Sequence, residues 1–89
     1  MIEMAGNKKN EGRLCQLVTF LARNLVDDPE EVRVREIESG DSVIFEVSVA
    51  PDDMGKVIGR HGRVARAIRS VTKAAAIRDG KRVMVEIVD

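Results

Sequence analysis

Aromatic side chains are almost absent from this chain. It has no Trp and no Tyr, and only Phe20 and Phe45 remain. A nucleic-acid binder so poor in aromatics cannot rely on platforms that stack bases on rings. Cysteine is limited to Cys15, so no intramolecular disulfide can form, and a lone thiol suits a reducing compartment. His61 is the sole histidine, and one Cys with one His falls short of the four ligands of a structural zinc site. No apolar run approaches the roughly 18–20 residues of a membrane span, so no membrane partner is expected. The opening Met1-Ile2-Glu3-Met4-Ala5-Gly6 lacks a charged region leading into an apolar one, so no signal peptide is expected either. Together these absences point to a cytoplasmic protein.

Net charge is also missing: 15 Lys and Arg balance 15 Asp and Glu. The distribution is not even. Residues 1–53 carry 12 acidic and 6 basic side chains. From Met54 to Arg78 there is no acid at all, while Lys56, Arg60, Arg63, Arg66, Arg69, Lys73 and Arg78 are basic. An acidic part followed by a basic part points to a polyanionic partner for the second. The 89 residues suffice for one thin-cored domain and not for two.

Residues 1–12 are polar, with two Gly, two Asn and the pair Lys8-Lys9, and read as a flexible tail ahead of a domain over 13–89. A first helix is expected from Arg13 to Leu25, where Leu14, Leu17, Val18, Leu21 and Leu25 share one face. Asp27-Asp28-Pro29 ends it. Val32 to Ile37 and Ser42 to Val49 alternate as strands, joined through Glu38-Ser39-Gly40-Asp41. Pro51-Asp52-Asp53 opens a short second helix, with its acids toward the positive end of the helix dipole. A third helix is expected from Gly62 to Ile77, with Val64, Ile68, Val71 and Ala75 on a core face and Arg66, Arg69 and Lys73 opposite. Arg82 to Val88 is the last strand. The order is α-β-β-α-α-β. The hairpin is antiparallel and the return to the third strand is a right-handed crossover. The expected architecture is α+β: a three-stranded mixed sheet with three helices on one face.

The informative segment is Lys56-Val57-Ile58-Gly59-Arg60-His61-Gly62-Arg63. It is a Gly-x-x-Gly loop between two helices, preceded by apolar residues and flanked by cations. The glycines permit positive φ and a close approach of phosphate to backbone. Gly62 opens a helix whose N-terminus favours an anion. Arg60, His61 and Arg63 supply donors, Arg66 and Lys56 more charge, and Val57 and Ile58 an apolar surface for bases. The spacing Gly55-x3-Gly59-x2-Gly62 is neither a dinucleotide fingerprint nor a P-loop. These nine residues, Lys56 to Arg63 with Arg66, are the candidate RNA-binding set. An isolated Gly-x-x-Gly is otherwise a tight helix–helix turn.

Segment 50–63, followed by Ala67-Ile68-Arg69 and preceded by Leu25-Val26-Asp27-Asp28-Pro29-Glu30-Glu31-Val32, resembles the bacterial single-KH family KhpA (YlqC-like), over about residues 13–89. The resemblance implies a type II KH domain that binds single-stranded RNA, with the loop Gly59-Arg60-His61-Gly62 clamping the backbone of about four nucleotides. It also implies an RNA chaperone or post-transcriptional regulator acting in cell-wall homeostasis and cell length. The implied partners are a second copy, a larger KhpB-like (EloR or Jag) KH protein, or both.

Several residues admit two readings. His61 is a pH-sensitive donor to phosphate or a polar loop residue of little consequence. Arg66, Arg69 and Lys73 extend an RNA track or form a solvated face. Val71 and Ala74-Ala75-Ala76 pack on the sheet or form a dimer seam. Cys15 reads as a small apolar residue. No catalytic set or cofactor fingerprint is present, so no enzyme activity is expected. The rival to RNA binding is a KH-shaped dimerisation module; a ribosome-assembly factor would share the RNA chemistry.

Overall fold

Apolar spacing accounts for most of the fold. The computed structural model describes residues 2–88, with side chains from Gly12 to Val88. Its elements are α1 (Ile2–Arg23), β1 (Arg33–Ser39), β2 (Ser42–Ser48), α2 (Met54–Ile58), α3 (Arg63–Arg78) and β3 (Arg82–Ile87). Single 3-10 turns at Pro29–Glu31, Pro51–Asp53 and Arg60–Gly62 lead into β1, α2 and α3. The α+β order α-β-β-α-α-β is as the sequence implies. The backbone of α1 begins at Ile2, ahead of the expected Arg13. The side chains of residues 1–11 lie outside the described residues, so the expected tail rests on experiment.

In α1, Leu14, Val18 and Ala22 recur every four residues and are buried. Leu17 and Leu21 beside them are half-buried. Asn24 ends the helix by donating from both its backbone N–H and its side chain to the Phe20 carbonyl. Leu25 therefore falls beyond the last turn and is exposed.

Strand β2 is central, antiparallel to β1 and parallel to β3. The turn is tighter than the expected four residues: Ser39 pairs with Ser42, leaving only Gly40-Asp41 between the strands. Val43, Phe45 and Val47 pair with Val83, Val85 and Ile87 and face the helices. The other sheet face carries Ile37, Ile44 and Met84 in one row. Helix α1 lies over β1 and β2, and α3 lies over β3.

Helix α3 is rotated relative to its expected core face. It buries Ala65, Ile68, Thr72 and Ala76, while Val64 and Ala75 are only partly buried. Val71 is exposed, contrary to expectation. Hydropathy sorts Val71 inward and Thr72 outward. The Thr72 hydroxyl instead donates to the Ile68 carbonyl at 2.8 Å, so it can be buried at little cost. The small side chains of Ala65 and Ala76 let the helix sit close to the sheet. In this rotation Arg69 Nε reaches the Val85 carbonyl at 3.0 Å and ties α3 to β3.

Candidate nucleic-acid interface

The five residues of α2 end because Gly59 takes φ 77 and ψ 169, a region open essentially to glycine alone. Its N–H still donates to the Gly55 carbonyl at 2.9 Å. The chain then makes one 3-10 turn. His61 sits at φ 57, ψ 26 and Gly62 at φ 73, ψ 15, both left-handed, before Arg63 returns to helical values. Gly62 N–H donates to the Gly59 carbonyl at 3.0 Å, and Arg63 N–H to that of Arg60. The N–H groups of Arg60 and His61 open the turn and have no helical acceptor before them.

Around this backbone stand four exposed cationic or titratable side chains: Arg60, His61, Arg63 and Arg66. An ideal Cβ on Gly62 would lie 3.7 Å from Arg66 Nη1, so that guanidinium folds back over the loop. Donors, the dipole end of the 16-residue α3 and clustered charge coincide, which is what an oxyanion requires. Of the two apolar residues before the loop, Val57 is wholly buried and holds it from beneath. It offers no surface to bases, which corrects its expected role. Ile58, 39% exposed, is the apolar side chain presented outward.

Lys56 faces elsewhere. Its Nζ lies 3.3 Å from Asp27 Oδ2 and 3.7 Å from Asp53 Oδ1. The hydrogen bond it donates to Asp27, with the charge of that carboxylate and of Asp53 behind it, raises the ammonium above the usual lysine range. In the basic row, Arg66 joins the loop while Arg69 is pinned to β3.

Asp53 went unrecognised from sequence. It is buried, and its two carboxylate oxygens accept the N–H groups of Asp27 and Asp28. Nothing in the periodicity separates it from Asp52, which is exposed. A second missed feature is an apolar groove of about 430 Å³ between the C-terminal end of α1 and the first turns of α3, lined by Leu21, Leu25, Val64, Ala67 and Val71, with Arg63 at its loop end. Only the width of the α1 apolar face hinted at it. Among the described residues no His, Cys, Asp and Glu cluster could hold a metal, and no helix is long and apolar enough to cross a membrane.

A family model described as the KhpA/KhpB KH domain matches residues 15–87. The RNA-binding protein KhpA of Clostridium acetobutylicum is 56% identical over 73 residues, 82% of this chain and 97% of that protein. Its counterpart in Borreliella burgdorferi is 43% identical over 81 residues, 91% and 99% of the two chains. Among solved structures, Era bound to nucleotides 1506–1542 of 16S ribosomal RNA superposes with a TM-score of 0.61 at 17% identity, covering 83% of this chain and 28% of that one. A crystal structure of Aquifex aeolicus Era gives the same score and identity. This chain spans less than a third of either Era structure, and what they share with it is the fold.

Proposed function

The chain belongs to the KhpA/KhpB KH-domain family, and on that premise we propose that it binds single-stranded RNA by seating the phosphate backbone on Gly59-Arg60-His61-Gly62. One observation carries the reading. Positive φ at Gly59, His61 and Gly62 shapes a turn at the start of α3, and Arg60, His61, Arg63 and Arg66 surround it. Backbone clamping beside an aliphatic surface at Ile58 is the mode left to a chain with two Phe and no other aromatics. Such binding is weak for one domain and falls with salt, by a slope of about 0.7 per phosphate contact on single strands. Titrating a labelled, mixed-sequence single-stranded RNA at two salt concentrations tests it. Salt-dependent binding supports the reading, and no binding at low salt refutes it.

A second reading concerns pairing. The groove between α1 and α3 is nearly all apolar, and Val71 in it is 46% exposed. That surface supports self-association, or association with a larger KhpB-like KH protein, beside the RNA loop and not in place of it. Sedimentation of the wild type and of Ala67→Glu tests this: a dimer lost on introducing the charge supports the groove as the seam. As the family resemblance implies, the protein would act in the cytoplasm as an RNA chaperone with effects on cell-wall homeostasis and cell length. Strand-annealing assays and the shape of deletion cells test those further steps.

A further inference from the structure

Asp53 lies outside the loop and directly before α2. It is 2% exposed, yet it makes no cap of its own helix. Its Oδ1 accepts the N–H of Asp27 at 3.2 Å and its Oδ2 the N–H of Asp28 at 3.1 Å. Those two residues follow the end of α1, where Asn24 and Leu25 face Arg63 across the groove. One buried carboxylate thus joins the two segments that flank the interface, the chain leaving α1 and the start of α2. Burying such a charge is costly unless it is paired and hydrogen-bonded. The two N–H groups meet the second need, and Lys56 at 3.7 Å meets the first.

We infer that Asp53 is a positioning residue for the Gly59–Gly62 loop, and that Lys56 is its counter-charge and not a phosphate contact. The inference rests on the RNA-binding reading above. The route is short. Five residues of helix separate Asp53 from Gly59, and Val57 within them is wholly buried. At the far end Gly59 is held against Val64. The loop is therefore fixed from both sides, and releasing Asp53 frees one of them. Lys56 also differs from the other cations. Among the described residues, Arg60, His61, Arg63 and Arg66 have no carboxylate partner, whereas Lys56 has two.

The test compares wild type, Asp53→Asn and Lys56→Met, each folded at the working temperature, by titration of a 12-nucleotide single-stranded RNA over a salt series and by amide exchange. Asparagine keeps the size of the side chain but turns one acceptor into a donor facing an N–H. Asp53→Asn weakens RNA binding about fivefold or more. It also speeds exchange at Asp27, Asp28, Gly59, Gly62 and Arg63, whose N–H groups are hydrogen-bonded, while β2 and β3 keep their protection. Lys56→Met leaves the salt slope at the wild-type value. An Asp53→Asn protein with wild-type affinity and unchanged loop exchange has lost a structural contact only, and overturns the positioning role. A slope reduced by about 0.7 in Lys56→Met makes Lys56 a phosphate contact and overturns its part. If the wild type binds no RNA, the RNA reading fails by itself, and loop exchange in Asp53→Asn still decides whether Asp53 holds the loop.

Discussion

Gly59 lies against Val64 with no room for a side chain: a Cβ on Gly59 would stand 2.7 Å from Val64 Cβ and 2.8 Å from its backbone nitrogen. Gly62 differs, since its Cβ would meet only the mobile tip of Arg66. The two glycines of the loop are thus required for different reasons. Gly59→Ala combines a glycine-only backbone with a clash against main chain and costs about 3 kcal/mol or more. Gly62→Ala carries only the left-handed penalty of about 1 kcal/mol. Chemical denaturation of the two variants checks the order.

Arg66 and Arg69 are three residues apart in one basic row but do different work. Arg69 Nε donates to the Val85 carbonyl, so Arg69→Ala lowers stability by about 1 kcal/mol and changes RNA affinity little. Arg66 folds back over Gly62, so Arg66→Ala leaves stability nearly unchanged and lowers the salt slope of RNA binding by about 0.7. Melting curves and salt titrations separate them.

Acid pH acts on the turn before β1. Asp28 has its carboxyl raised, first by the hydrogen bond its protonated form donates to Glu30, then by desolvation and the charges of Glu30, Glu31 and Asp53, while the same contact helps lower Glu30. Because the folded chain holds this proton more tightly than the unfolded one, the group stabilises below its usual value near 3.9 and loses that contribution as pH rises through its raised folded value. At neutral pH its charge stands among the like charges of Glu30, Glu31 and Asp53. Asp28→Asn, a neutral donor, therefore melts higher than wild type at pH 7. The advantage shrinks on acidification and vanishes at about pH 3. Thermal melts across that range check the sign.

Removing residues 1–11 tests the expected tail. The core runs through Leu14, Val18 and Ala22, all beyond the cut. The shortened chain folds with the same cooperativity, and its RNA affinity falls by no more than the loss of the Lys8-Lys9 charge explains. A collapse of the melting transition would place the domain boundary earlier than residue 13.

How far the sequence reveals this molecule depends on whether a feature is local. Alternation along Val43, Phe45 and Val47 and the helical spacing of Leu14 and Val18 come from strand and helix periods, and the structure follows them, although Ala22 and not Leu25 completes the buried row of α1. The positions of Gly59 and Gly62 are local too. The exceptions are side chains whose meaning depends on distant partners. Thr72 is core because the carbonyl of Ile68 accepts its hydroxyl, and Val71 is exposed because the helix turns to suit. Val57 and Ile58 look alike in sequence, yet packing buries one and exposes the other. Asp53 finds the backbone N–H groups it accepts 26 and 25 residues away, where no window on the sequence reaches.

The central claim is that Gly59 to Gly62 clamps the RNA backbone. The most direct test reverses charge at its two exposed inner positions, Arg60 and His61. RNA affinity of the double variant Arg60→Asp with His61→Asp is measured beside its melting temperature. The account predicts that binding is abolished at low salt while the fold melts as wild type does. Wild-type affinity in a folded double variant would contradict it.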